Sequence, residues 1–212
     1  VFFHVTSYDE IDGLYIFFHI EKKQMYKVPN IGVVSRKRDR NYLKKSGNIK
    51  IMFLSRIHEV KNLKFAIDVV NRLTCNAEFH IYGPIESKEY WEECLQIAQR
   101  HNEKVKIKYC GKVNPEDVGK VYSQYDCFLF PTINENYGHV IAESLANGCP
   151  VILSKGTTPW DDLHERAGYV CPLNDKKSFI DALQKIASFN SEEYVRLIET
   201  TESYYSSKSK QN

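Results

Sequence analysis

Long apolar runs are missing from this sequence. The stretch Leu14 to Ile20, the longest near its start, falls far short of the ~20 residues that a membrane-spanning helix needs. Val1-Phe2-Phe3-His4-Val5 has neither an initiator methionine nor a basic leader, so no secretory signal is read there. No C-x-x-C pair occurs. The six cysteines, at 75, 94, 110, 127, 149 and 171, stand 16 to 22 residues apart, most of them in or beside apolar runs. That spacing suits small buried hydrophobes in a reducing cytosol better than a disulfide framework or a zinc site. A strong net charge is lacking as well: 29 basic against 27 acidic residues give +2, and nothing demands a nucleic-acid partner. Internal repeats are absent, and low complexity is confined to the polar tail from Ser206 to Asn212.

What is present is ordinary globular composition, 42% hydrophobic and 26% charged, at a length that suits one domain or one domain with a piece of another. A basic run, Arg36, Lys37, Arg38 and Arg40 followed by Lys44 and Lys45, lies between apolar stretches. It reads as a solvated linker; the livelier alternative is peripheral association with an anionic membrane face, worth about 1 kcal/mol per cation. The opening Phe/Val run reads as a buried strand with no partner before it. Residues 1–48 are therefore expected to be the tail of a preceding domain plus a linker.

From Ile49 strands and helices alternate. Ile49–Leu54 reads as a strand, followed by a helix capped by Asn62 whose apolar positions Leu63, Ala66, Ile67, Val70 and Leu73 recur every three or four residues. Further strands are expected at Ala77–Tyr82, Val105–Cys110, Cys127–Phe130, Pro150–Leu153 and Tyr169–Cys171. Helices fall at about Glu89–His101, after Asn114-Pro115-Glu116-Asp117, at Gly138–Ala146, around Phe179–Ala187, and from Ser191, where Ser191-Glu192-Glu193 reads as the cap. Such alternation implies right-handed βαβ units in an α/β fold: a Rossmann-like, doubly wound parallel sheet of about six strands. Ligands of such sheets sit at the carboxyl ends of the strands, where helix N-termini offer free amides.

Two of those loops carry the chemistry. After Phe130 comes Pro131-Thr132-Ile133-Asn134-Glu135-Asn136-Tyr137-Gly138-His139-Val140-Ile141-Ala142-Glu143. Gly138 admits close approach of the backbone, the amides of Gly138, His139 and Val140 can hold a phosphate or sugar oxygen, and Glu135 and Glu143 can bracket an elongated ligand through paired hydroxyls. As isolated glutamates they would be a helix cap and a solvated helix residue. The loop after Leu54 shifts that balance. In Ser55-Arg56-Ile57-His58-Glu59-Val60-Lys61-Asn62, an arginine fork and a lysine point charge stand between strand end and helix start, where they suit a diphosphate. On one sheet edge, the two loops describe a site for a nucleoside diphosphate bearing a sugar. His58, His80, His101 and His164 have no metal-ligand spacing and read as ordinary residues. No G-x-G-x-x-G follows the first strand, which disfavours a nicotinamide dehydrogenase.

The segment E-N-Y-G-H-V-I-A-E resembles the E-x7-E signature of the retaining family 4 glycosyltransferases, which have the GT-B fold of two Rossmann-like domains. L-S-R-I-H-E-V-K-N, I-Y-G-P, Y-C-G-K-V, F-L-F-P-T and A-N-G-C-P-V-I-L-S follow that family's order too. The resemblance covers about residues 49–190 as the donor-binding domain. It implies that Arg56 and Lys61 neutralise the diphosphate and the leaving-group charge, that Glu135 orients the transferred sugar, and that Glu143 holds the ribose. It also implies that the amides at Gly138, His139 and Val140 contact sugar and phosphates, that Lys112 and Val113 beside Gly111 flank the base, and that Gly83 leaves room along the cleft. No cofactor or metal is implied, and no convincing D-x-D triad occurs; the donor would be a UDP- or GDP-sugar. Ser55 stands where members often have glycine. Thr158-Pro159-Trp160 resembles a segment of members that build bacterial surface polysaccharides, although it reads equally as a Trp-anchored turn.

The resemblance makes residues 191–212, a helix and polar tail, similar to the segment that returns to an N-terminal acceptor domain, with Tyr194, Tyr204 and Tyr205 expected to be exposed. A cytoplasmic hexosyltransferase half, inactive alone and acting on a glycan or lipid-linked acceptor, is the leading expectation. A non-catalytic nucleotide-sugar-binding subunit that works with a separate acceptor-binding chain is the alternative.

Overall fold

The computed structural model describes residues 3–5, 8–27, 38, 43–100 and 102–210. Near the start, β1 (Phe3–Val5) and β2 (Met25–Lys27) pair in parallel around α1 (Tyr8–Phe18). The described part of the opening run, Phe3–Val5, is thus a strand as expected, and its partner follows it in the chain. On α1 the side chains of Tyr15, Ile16, Phe17 and Phe18 are exposed. No helix among the described residues is long and apolar enough to cross a membrane.

The main sheet has six parallel strands: β3 (Asn48–Leu54), β4 (Asn76–Tyr82), β5 (Val105–Gly111), β6 (Cys127–Phe130), β7 (Val151–Ser154) and β8 (Gly168–Cys171), ordered β5-β4-β3-β6-β7-β8. All four residues of β6 and of β7 are buried, because strands covered by helices on both faces must be apolar throughout. β4 alternates instead: Ala77, Phe79 and Ile81 are buried while Glu78, His80 and Tyr82 are half-buried, so this edge is covered fully on one face only. α2 (Leu63–Val70), α3 (Lys88–Ala98) and α6 (Lys176–Ser188) pack on one side of the sheet; α4 (Val118–Tyr122), α5 (His139–Ala146) and α7 (Ser191–Ser209) pack on the other. Phe53, Phe128 and Phe130 are fully buried between them, each contributing about 2 kcal/mol by removal from water.

Several local expectations change. Asn62 occupies the N-cap of α2 in a left-handed conformation, yet its side chain makes no capping bond; it donates to the Pro131 carbonyl at 3.0 Å. Leu73 lies beyond the end of α2 but remains in the core. Asn114 does not cap either, and Pro115–Asp117 form a 3-10 turn before the short α4. The last helix is capped by Asn190 with Glu193 in a reciprocal box, not by Ser191, and it runs through most of the polar tail. Tyr194, Tyr204 and Tyr205 are buried rather than exposed, because α7 lies along α5 and turns them into the shared core. All six cysteines are free, four buried and two half-buried.

The basic run is only partly the solvated linker it resembled; Arg36, Lys37 and Arg40 lie outside the described residues. Arg38 is buried over the Tyr194 ring, 5.3 Å from its centroid. Lys44 is buried too and donates to Asp126 Oδ2 at 3.1 Å and to the Asn48 carbonyl. Asp126 also accepts from the Lys50 amide at 2.7 Å, and Tyr194 donates to its carbonyl at 2.8 Å. This ion pair ties the segment before β3 to the turn before β6. Removing one partner of a buried pair strands the other charge, so Lys44→Met is expected to cost about 3 kcal/mol. An unchanged urea midpoint at an unchanged m-value would contradict it.

Candidate functional site

Glycine determines how closely the loops at the carboxyl edge approach one another. Gly83, with φ +131°, follows β4, and a Cβ there would stand 1.8 Å from the Ser55 carbonyl oxygen. Its absence lets the loop after β3 bond to the loop after β4: Ser55 N–H donates to Tyr82 O at 3.1 Å, and Ile57 N–H to Pro84 O at 2.8 Å. Gly83 N–H donates in turn to Gly111 O at 2.8 Å, and the Tyr109 hydroxyl to Gly83 O at 2.8 Å. The loop after β6 is fastened on both sides. Ile133 N–H donates to Val60 O at 2.8 Å, and Glu135 N–H to Thr157 O at 2.9 Å.

Lys61 and Glu135 meet across this edge, Nζ to Oε2 at 2.6 Å, with both side chains mostly shielded from solvent. The ammonium also lies 5.7 Å from the Phe130 ring centroid, an attractive position for a cation. Gly138, at φ +78°, is the N-cap of α5, and a Cβ on it would crowd Ile141 and the Glu135 side chain. The first amide of α5 that bonds back to Gly138 O is that of Ile141, which leaves the N–H groups of Gly138, His139 and Val140, among the described residues, as the orphan donors of a helix start. The His139 side chain is exposed and edges the Tyr137 ring at 5.0 Å. Val140 O accepts from the buried Tyr122 hydroxyl at 2.8 Å.

The other expected residues sit on the same edge without joining that pair. Arg56 is exposed and donates through Nη1 to both carboxylate oxygens of Glu86, at 2.8 and 2.9 Å. Lys112 is exposed and Val113 half-buried, packed against the core beside Gly111. Glu143 is half-buried on α5 and makes no side-chain hydrogen bond or ion pair among the described residues. Burial pushes its carboxyl above the usual carboxylate range. Glu86 was not among the expected residues; only the short Pro84-Ile85 spacing behind Gly83 could have signalled it. Of the two readings of Thr158-Pro159-Trp160, the structure displays the turn anchor: Trp160 is buried, and its indole N–H donates to Tyr137 O, directly ahead of Gly138.

Three of the histidines outside the motif have structural partners. His58 Nδ1 accepts from Val60 N–H, His80 bonds the Tyr125 hydroxyl at 2.7 Å, and His164 Nδ1 accepts from Val170 N–H; His101 lies outside the described residues. Among the described residues no group of three or more His, Cys, Asp or Glu side chains is placed to hold a metal. A cavity of about 640 Å³ opens at the opposite end of β3 to β5, lined by Lys44, Lys50, Glu78, Lys106 and Asp126 among others. It lies away from the helix N-termini and shares no residue with the edge described above.

A doubly wound parallel sheet presents the carboxyl ends of its strands and the adjoining helix N-termini as its ligand edge, and the residues above lie on that edge. The family described as Glycosyl transferases group 1 matches residues 34–204, and the chain belongs to it. An uncharacterized glycosyltransferase of Methanocaldococcus jannaschii is 30% identical over 107 residues, 49% of this chain and 26% of that protein. The O-antigen chain mannosyltransferase B of Escherichia coli is 24% identical over 126 residues, 58% of this chain and 33% of that one. The chain therefore spans a third or less of either curated relative. Among solved structures, Anabaena HepE in complex with UDP and glucose shares the fold at a TM-score of 0.74 and 16% identity, covering 97% of this chain and 58% of that one.

The Glu143 carboxyl generates a pH test. Below its unfolded pKa the group is protonated in both states and contributes nothing. As pH rises the unfolded chain releases its proton first, so the folded state binds more protons and stability falls. Glu143→Gln is therefore expected to be more stable than the wild type near neutral pH, with the advantage vanishing below about pH 4. Parallel urea-midpoint curves for the two proteins from pH 3 to 7 would contradict a desolvated carboxyl.

Proposed function

We propose that this chain carries the donor-binding domain of a retaining, family 4 glycosyltransferase of the GT-B type, transferring a hexose from a UDP- or GDP-sugar. The observation that carries the reading is the Lys61–Glu135 pair at 2.6 Å, set beside the orphan amides of Gly138, His139 and Val140. One cation, one hydroxyl-binding carboxylate and a helix start within one crevice match the three parts of a sugar diphosphate. In this reading Arg56 and Lys61 neutralise the diphosphate and the charge that builds on the leaving group as the glycosidic bond to phosphate breaks. Glu135 accepts from sugar hydroxyls and fixes the sugar's orientation. Glu143 accepts from the paired hydroxyls of ribose, which would repay its desolvation. Gly83, Lys112 and Val113 border the nucleoside. The two cations supply the positive charge, so no metal or cofactor is invoked.

The division of the chain belongs to the same proposal. Residues 49–190 form the donor domain. Residues 1–48 form the end of an acceptor domain with a linker, supported by a two-stranded parallel sheet that is too small to be stable alone and by the exposed aromatic face of α1. Residues 191–212 supply the closing helix. The acceptor would be a glycan or lipid-linked glycan of a bacterial surface polysaccharide, reached from the cytoplasmic side, and this chain alone would transfer little or no sugar. The O-antigen chain mannosyltransferase B of Escherichia coli among the relatives supports that acceptor class.

Calorimetry with UDP, GDP and ADP tests the site. At least one is expected to bind weakly. Glu143→Ala is expected to weaken binding of the corresponding nucleotide sugar about tenfold, the loss of a charge-assisted hydrogen-bond pair. Glu135→Ala is expected to weaken the nucleotide sugar while sparing the bare nucleotide. Equal losses for the bare nucleotide in both variants would refute these roles, and no heat with any nucleotide from a folded sample would refute the site.

A further inference from the structure

The loop after β4 is an extension of the sheet rather than a free connection. Ile57 and Ile85 form an isolated parallel bridge, with Ile57 N–H donating to Pro84 O at 2.8 Å and Glu86 N–H to Ile57 O at 3.2 Å. This pairing is permitted by Gly83, whose missing Cβ leaves space for the Ser55 carbonyl. It places Glu86 next to Arg56 by backbone register, and Ser87, the next residue, is pinned as the N-cap of α3 by accepting from Tyr90 N–H. The Glu86 carboxylate then receives Arg56 Nη1 on both oxygens, at 2.8 and 2.9 Å, with the two side chains 62% and 36% exposed.

From this geometry we propose that Glu86 is an affinity-setting counter-ion of the donor site, competing with the donor diphosphate for the Arg56 guanidinium. The inference rests on the donor-site reading of Arg56 given above. A carboxylate on Arg56 Nη1 occupies one of the N–H donor groups that a phosphate would use. An ion pair this exposed is weak, so a diphosphate with several anionic oxygens displaces it, whereas a ligand without phosphate gains nothing by doing so. Lys61 is also paired, with Glu135, so an incoming diphosphate meets two cations that each already have a partner. The consequence is a site with moderate affinity for diphosphates, which assists departure of the nucleoside diphosphate once the sugar has left. Glu59 lies close by but faces His58, at 3.3 Å, rather than Arg56, and serves as a control for simple loss of negative charge.

The test is calorimetry of the full chain with UDP, GDP and ADP and with the matching nucleosides, at low salt and at 0.5 M salt. Glu86→Gln is expected to bind the preferred diphosphate about two- to fivefold tighter at low salt, the range of an exposed ion pair. The gain shrinks at high salt, and nucleoside affinity stays unchanged. Glu59→Gln is expected to change diphosphate affinity by less than about 1.5-fold. In an Arg56→Ala background the Glu86→Gln gain disappears. Unchanged or weaker diphosphate binding in Glu86→Gln, an equal gain in Glu59→Gln, or a gain that survives Arg56→Ala would each overturn this role alone. Absence of binding by all three nucleotides to the folded wild-type chain would overturn it together with the donor-site reading.

Discussion

Right-handed crossover is the constraint on which the rest of this structure depends. From β3 the chain adds β4 and then β5 in one direction, and the connecting helices α2 and α3 must lie on one face. It then returns past β3 to β6 and proceeds to β7 and β8 in the other direction, so α4 and α5 lie on the opposite face. The loops leaving β3 and β6 therefore turn away from each other although their strands are neighbours. A crevice opens between them that no side chain of the sheet itself can fill. Lys61 and Glu135, one from each loop, meet across it, and a parallel sheet of this winding has no other place where two adjacent strand ends diverge.

The buried pair Lys44–Asp126 does at the opposite end of those two strands what Lys61–Glu135 does at the crevice. Asp126 precedes β6, and its carboxylate takes both Lys44 and the backbone of Lys50 at the start of β3. The two strands are thus registered against each other at their amino ends. A shift of one residue there would offset the two strand ends by about 3.3 Å, enough to separate Lys61 from Glu135, now 2.6 Å apart. The energetic value of the buried pair is local, but its geometric consequence is felt at the site.

Most of the sheet was legible because its signal is long and redundant. Cys127–Phe130 and Ile51–Leu54 are continuous apolar runs, and α2 and α6 carry the three-and-four spacing of a half-buried helix. The placement of Arg56, Lys61, Glu135 and Gly138 on the carboxyl edge was legible because each lies in the connection that follows a strand. What escaped were partners chosen by tertiary contact. Asn62 has the sequence of a cap, yet the nearby Pro131 carbonyl takes its amide. Tyr194, Tyr204 and Tyr205 look like a wet helix face until α5 is found beneath them. Arg38 and Lys44 belong to a run of cations whose hydrophilicity hides that they point inward, over Tyr194 and onto Asp126. Glu86 is one more surface acid until the Ile57–Ile85 bridge sets it beside Arg56. Local pattern gives the elements; it does not give the partner when several polar groups are in reach.

A chain of hydrogen bonds links α7 to the crevice. Tyr204 and Lys208 of α7 both donate to Asp162, at 3.0 and 2.7 Å, and the Lys208 ammonium lies 5.8 Å from the Trp160 ring centroid. Trp160 in turn donates its indole N–H to the carbonyl of Tyr137. That carbonyl and the N–H of Gly138 belong to one peptide group, so a hydrogen bond to the oxygen polarises the N–H and makes it a stronger donor. The ring also holds Tyr137 by contact at 5.5 Å, which restrains a loop that glycine would otherwise leave free. A long helix that looked peripheral is therefore mechanically continuous with the amide cluster at the start of α5. Its buried tyrosines are what the arrangement requires, because a helix exposed on that face could not transmit anything to Trp160.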